Sequence, residues 1–79
     1  MELRLLRYFV AVAEELHFAR AAERLGVEQS PVSRAMRHLE ATLGVQLFDR
    51  SANQTRLTRA GQVFLGECRR VLATVEQAV

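Results

Sequence analysis

The sequence has no lysine, no tryptophan, one cysteine, one proline and no long apolar run. Each scarcity excludes something. A lone cysteine, Cys68, cannot form an internal disulfide and fits a reducing compartment. One proline and four glycines are too few for a low-complexity or disordered chain. No stretch approaches the ~20 apolar residues of a membrane span, and the first residues lack a signal-peptide pattern. A cytoplasmic protein without membrane contact is expected. The two histidines, one aspartate and one cysteine show no metal spacing and no nucleophile motif, and there is no glycine-rich phosphate loop. An enzyme, a metal site or a cofactor is therefore not expected.

Seventy-nine residues, 49% of them hydrophobic, make one domain at most. A chain this short buries only about 60% of its unfolded surface, so its core is small. All eleven basic residues are arginine, which favours planar, forked contacts. The net charge of +2 argues little, but its distribution is uneven. From Met1 to Glu28 four arginines face five glutamates, and from Ala60 onward two face two. Between Gln29 and Arg59 five arginines (34, 37, 50, 56 and 59) face only Glu40 and Asp49. The positive charge is concentrated in the middle of the chain.

That middle opens with residues 21–40, which read as two helices joined by a sharp turn at Gly26. Glycine can hold the positive φ needed just past a helix end. Ala22 is small enough for close helix approach, and Val32 fills the gap. Ser30 is suited to cap the second helix, and Pro31 to its first turn. At about 100° per residue Val32, Met36, Leu39 and Leu43 form one stripe. Ser30, Ser33, Arg34 and Arg37 lie opposite, with Gln29 at the leading end and no acid until Glu40. Such a face suits a DNA major groove: arginine can grip guanine and glutamine can grip adenine through two bonds each, and serine can bond either bases or phosphates. A solvated face of an ordinary helical bundle is the competing reading.

Upstream, residues 3–16 repeat Leu3, Leu6, Phe9, Val10, Ala13 and Leu16 at helical spacing, with Tyr8 and Val12 on the flank. The next helix is expected from about Ala19 to Leu25, with Ala21, Ala22 and Leu25 inward and Arg20, Glu23 and Arg24 outward. His17 stands at the junction, either solvated or, when protonated, in reach of a phosphate. Downstream, Gly44 stops the helix. Residues 45–50 and 55–58 read as two strands around the turn cluster Ser51-Ala52-Asn53-Gln54. Leu47, Phe48 and Leu57 would hold this hairpin, a wing, to the core. Arg50 and Arg56 flank its tip, placed for phosphates or a narrow minor groove; the alternative pairs them with Asp49 or Glu40.

Thr58 is suited to cap a last helix of about twenty-two residues, roughly 33 Å long. It carries two apolar rows, Phe64, Cys68, Val71, Val75 and Ala78 in one, and Leu65, Leu72 and Val79 in the other. Phe64, Leu65, Cys68, Val71, Leu72 and Val75 are expected to meet a second copy, making a homodimer. The alternative is that both rows pack on the first helix.

The ordered set Leu6-Arg7-Tyr8-Phe9, Val12-Ala13, His17 through Leu25, Gln29 through Arg34, Leu39-Glu40, Leu43-Gly44, Leu47 through Arg50 and Leu57 through Gly61 closely resembles the N-terminal part of LysR-type transcriptional regulators. The resemblance implies a mainly α fold. Residues 1–58 would be a winged helix-turn-helix with a three-helix core and a two-stranded β wing. Residues 59–79 would be a linker helix that dimerises, and the family's effector-binding domain would be absent. It further implies that Gln29, Ser30, Pro31, Ser33 and Arg34 approach the bases and that Arg50 serves the wing. Arg37 and Arg56 join the DNA-binding set, as does Asn53, which stands where the family often has a minor-groove arginine; whether Arg56 replaces that arginine is open. Position 19 is alanine where many members have a capping Ser or Thr, so another group must cap that helix.

The expected function is sequence-specific binding of double-stranded promoter DNA by a homodimer, on a partly palindromic site. The expected setting is a bacterial cytoplasm, associated with the nucleoid. A small-molecule effector would act only through the missing C-terminal domain. A helical protein-interaction module without sequence-specific DNA binding is the alternative. It leaves the Gln-Ser-Arg face and the wing unexplained.

Overall fold

The computed structural model describes residues 1–51 and 53–79; Ala52 of the expected turn cluster lies outside them. In chain order the elements are α1 (Leu3–Glu15), α2 (Phe18–Leu25), α3 (Gln29–Leu43), β1 (Phe48–Asp49), β2 (Arg56–Leu57) and α4 (Arg59–Ala78). The strands pair antiparallel, Phe48 opposite Leu57 and Asp49 opposite Arg56. The fold is a winged helix-turn-helix followed by a long helix.

The core lies where α1, α2 and α3 cross. Phe9, Val12, Ala21, Val32, Met36 and Leu39 are completely buried there. Phe9 is its hub: its ring packs 5.4 Å from Phe48 of the wing and 5.0 Å from Phe64 of α4. Phe18 stands edge-on to Phe48 at 5.7 Å. Tilted and edge-to-face rings add roughly 0.5–1.5 kcal/mol per pair to the burial itself. One aromatic chain thus ties α1, α2, the wing and α4 together.

The turn between α2 and α3 follows the sequence closely. Gly26 closes α2 at φ 71°, with its amide bonded to the Ala22 and Glu23 carbonyls. Ala22 is buried and Val32 fills the space beneath the turn. Ser30, however, is not the cap. Helix α3 already begins at Gln29, and Glu28 at the cap position makes no side-chain bond. Pro31 still sits in the first turn, where its missing N–H leaves no intrahelical bond unmade.

Other expectations shift with packing. Val12 is fully buried rather than flanking, while Leu3, Leu16 and Leu43 are 37–42% exposed at helix ends that have no neighbour to cover them. Helix α2 starts at Phe18, and His17 caps it: the imidazole Nδ1 accepts the Arg20 amide at 3.1 Å. The strands are two residues each, shorter than 45–50 and 55–58, and Leu47 and Phe48 are both buried, where alternation about one covered face would expose one of them.

Thr58 caps α4 as its sequence suggests, accepting the Gly61 amide at 3.0 Å, and its hydroxyl donates to the Gln46 carbonyl at 2.7 Å. Gly61 is there for closeness: a Cβ would lie 2.2 Å from the Leu47 carbonyl oxygen. Beyond it, the two apolar rows of α4 divide. Cys68 and Leu72 are buried within this one chain, and Phe64 and Leu65 pack against its core. For these four the first-helix alternative holds, because α1 reaches far enough along α4 to cover them. Val63 and Val71 are exposed, and Val75 is half-buried. Burial pushes the Cys68 thiol up to about 11, so it is a packing group rather than a nucleophile.

Candidate nucleic-acid interface

Helix α3 buries Val32, Met36 and Leu39 and turns Gln29, Ser30, Arg34 and Arg37 outward, with Pro31 and Ser33 half-buried at the shoulder. The helix-period stripe and the polar face opposite it are both present. Neither Arg34 nor Arg37 has a carboxylate within 4.0 Å among the described residues.

Glu40 breaks the simple helical wheel. It is not the acid at the end of the outward face but a buried side chain, 6% exposed. Its Oε2 accepts the Leu47 amide at 2.8 Å and the Phe48 amide at 3.1 Å, and Oε1 lies 3.0 Å from Arg50 Nη1. Burying a charge is costly unless it is paired and bonded, and here it is both. Arg50 is held further by the rings of Phe18 and Phe48, its guanidinium carbon 5.6 and 5.5 Å from their centroids. The inward pairing is therefore the one Arg50 adopts. It reaches back to α3 rather than out from the wing, and sets the angle at which the wing leaves the core.

The exposed wing side is carried by Asn53, Gln54 and Arg56, which face the start of α2 and Gln29 across an open groove of about 860 Å³. His17 and Arg20 line the opposite wall. Asp49 is occupied locally: the Ser51 hydroxyl and amide both donate to it, at 2.6 and 2.9 Å. These bonds hold its carboxyl below the usual aspartate value. Arg56 has no carboxylate within 4.0 Å among the described residues.

Away from this side, most arginines are tied down. Glu14 receives Arg24 at 2.7 Å and Arg69 at 2.9 Å, joining α1, α2 and α4, and Arg24 and Arg20 also reach Glu15. Arg69 first and Arg24 second hold the Glu14 carboxyl below its ordinary value. Among the described residues Arg7, Arg34, Arg37, Arg56 and Arg59 have no carboxylate within 4.0 Å, and all but Arg7, on α1, lie on α3, the wing and the start of α4. Sequence reasoning offered Glu40 only as an alternative partner for the wing arginines, and it missed the His17 cap and Thr55, a half-buried residue between helix and wing. The one available signal was Glu40 itself, an acid one step from the apolar stripe.

Residues 3–62 match the family described as bacterial regulatory helix-turn-helix protein, lysR family. The chain belongs to the LysR family. Among curated LysR relatives, the HTH-type transcriptional regulator ShiR of Corynebacterium glutamicum is 53% identical over 99% of this chain and 26% of its own length. The chain thus spans about a quarter of the length of the first curated relatives it matches. Among solved structures, the BenM DNA-binding domain in complex with catB site 1 DNA superposes with a TM-score of 0.95 at 44% identity, covering 99% of this chain and 87% of that one. The CbnR DNA-binding domain bound to DNA gives 0.93 at 49% identity, covering 99% and 90%. No helix among the described residues of this LysR chain is long and apolar enough to cross a membrane.

Proposed function

We propose that this chain is the DNA-binding and pairing part of a bacterial transcriptional regulator that acts on the chromosome, in the cytoplasm, at a partly palindromic promoter site. The observation that carries this reading is the segregation of unpaired arginine. Arg34 and Arg37 on α3 and Arg56 on the wing face one side without a carboxylate partner among the described residues, while Arg20, Arg24, Arg69 and Arg70 are spent on Glu14, Glu15 and Glu67. Two relatives of the same fold were crystallised on DNA, which supports the same partner here.

In this reading Gln29, Ser30, Pro31, Ser33 and Arg34 enter the major groove, Arg34 as the residue able to take guanine in two bonds. Arg37, Asn53 and Arg56 hold the sugar-phosphate backbone. Arg50 acts through the wing it positions. Residues 1–58 form the reading unit and 59–79 the linker helix, although Gly61, Cys68 and Leu72 make the first turns of that helix part of the core. Pairing is left to its outer face, where Val63 and Val71 are exposed and Val75 is half-buried. A dimer with two-fold symmetry would present its α3 helices to successive major grooves, about 34 Å apart.

Repeated rounds of selection from a random duplex library test this. The expected product is an inverted repeat with half-sites about one helical turn apart. Recovery of unenriched sequence, with binding that vanishes in moderate salt, would contradict the reading.

A further inference from the structure

We infer that the crevice between α3 and the wing seats one backbone phosphate of the bound DNA, and that Thr55 closes it. The inference rests on the proposed reading of α3 as the groove-binding helix. The crevice has a volume of about 230 Å³ and is lined by Phe18, Gln29, Ser33, Arg37, Arg50 and Thr55. Every polar side chain among these can donate a hydrogen bond, and none is a carboxylate. The adjacent acid, Glu40, is already taken by two amides and Arg50 Nη1.

Behind the wall, Arg50 Nη2 is buried without any hydrogen-bond partner. Its charge is therefore only partly answered by Glu40 and favours an anion on the crevice side. Arg37 opens onto the same space and has no ion-pair partner among the described residues. A set of hydroxyl, amide and guanidinium donors from α3 and the two sides of the wing suits the unesterified oxygens of a phosphodiester. It suits a base edge poorly, since most base edges offer donors as well as acceptors.

Depth separates the two kinds of contact. Arg34 is exposed on the crest of α3, where it can reach a groove floor, whereas Thr55 is half-buried at the side. With the crest in the groove, recessed donors meet the strand that forms the groove wall.

The test uses the whole chain and the duplex selected by the unmodified protein, with methylphosphonate replacing one phosphate at a time along a half-site. One flanking position should cost about tenfold in affinity, as expected for the loss of a charge-assisted bond. Thr55→Val keeps the side-chain shape and removes the hydroxyl. It should weaken selected and scrambled duplexes equally, by about fivefold, and reduce the methylphosphonate penalty at that one position. Reselection with Thr55→Val should return the same site, and thermal unfolding should confirm the fold. An unchanged methylphosphonate profile in a folded Thr55→Val protein, or an altered base preference, would each overturn the seat. Failure of the unmodified protein to enrich any sequence would instead overturn the function on which it rests.

Discussion

The Glu40 carboxylate lies 3.0 Å from the Arg50 guanidinium while accepting the amides of Leu47 and Phe48. One buried acid in the recognition helix therefore fixes the entry to the wing and the arginine beneath it. Glu40→Ala leaves two buried amides and a confined cation without a partner, and should cost about 3 kcal/mol. Glu40→Gln can keep one oxygen on both amides but loses the charge facing Arg50, and should cost about half as much. Urea unfolding measures both; equal losses under about 1 kcal/mol would show that the pair carries little of the fold.

The two glycine positions should separate conformational from steric cost. A Cβ at Gly26 meets nothing within 4 Å, so Gly26→Ala bears only the strain of φ 71°, about 1 kcal/mol. A Cβ at Gly61 would lie 2.2 Å from the Leu47 carbonyl oxygen and must push α4 off the wing root. Gly61→Ala should be the more destabilising by a clear margin in thermal unfolding. The reverse order would mean that α4 does not dock as described.

Acid should loosen the junction of α1, α2 and α4. Arg69 and Arg24 hold the folded Glu14 carboxyl below its unfolded value. Its contribution is therefore fully present above the unfolded glutamate value, and is lost as pH falls through the lower folded one. Between pH 7 and pH 3 the unmodified chain should lose more thermal stability than Glu14→Gln. Identical pH profiles would remove Glu14 from the account.

Pairing should depend on the outer face of α4. Val71 is 42% exposed and Leu72 only 9%, so Val71→Glu charges the surface while Leu72→Glu injures the core. Val71→Glu should stay helical, sediment as a monomer, and lose far more affinity for a two-half-site duplex than for a single half-site. Equal losses on both duplexes would contradict pairing through this face.

The helical parts of this architecture were legible because periodicity reports burial directly. Val32, Met36 and Leu39 recur at the spacing of one face, and that face is the buried one. Periodicity is blind to pairing across sequence. Glu40 finds its partners seven to ten positions away, so a helical wheel turned it outward and its pairing with Arg50 stood only as an alternative. His17 escaped notice as a cap because capping is usually sought in Ser, Thr, Asp and Asn, although an unprotonated imidazole nitrogen accepts an amide equally well. The rows of α4 were visible, but which of them α1 covers depends on how far the two helices overlap.

The central claim is that α3 reads bases while the wing holds the backbone, and base-preference profiles of two variants test it most directly. Arg34→Ala should relax preference at one position per half-site and cost about 1–3 kcal/mol on the selected site. Arg56→Ala should leave the preference intact, weaken selected and scrambled duplexes alike, and lower the salt slope by about one. If Arg34→Ala lost affinity equally on every sequence, with its base preferences unchanged, α3 would not be the reading element.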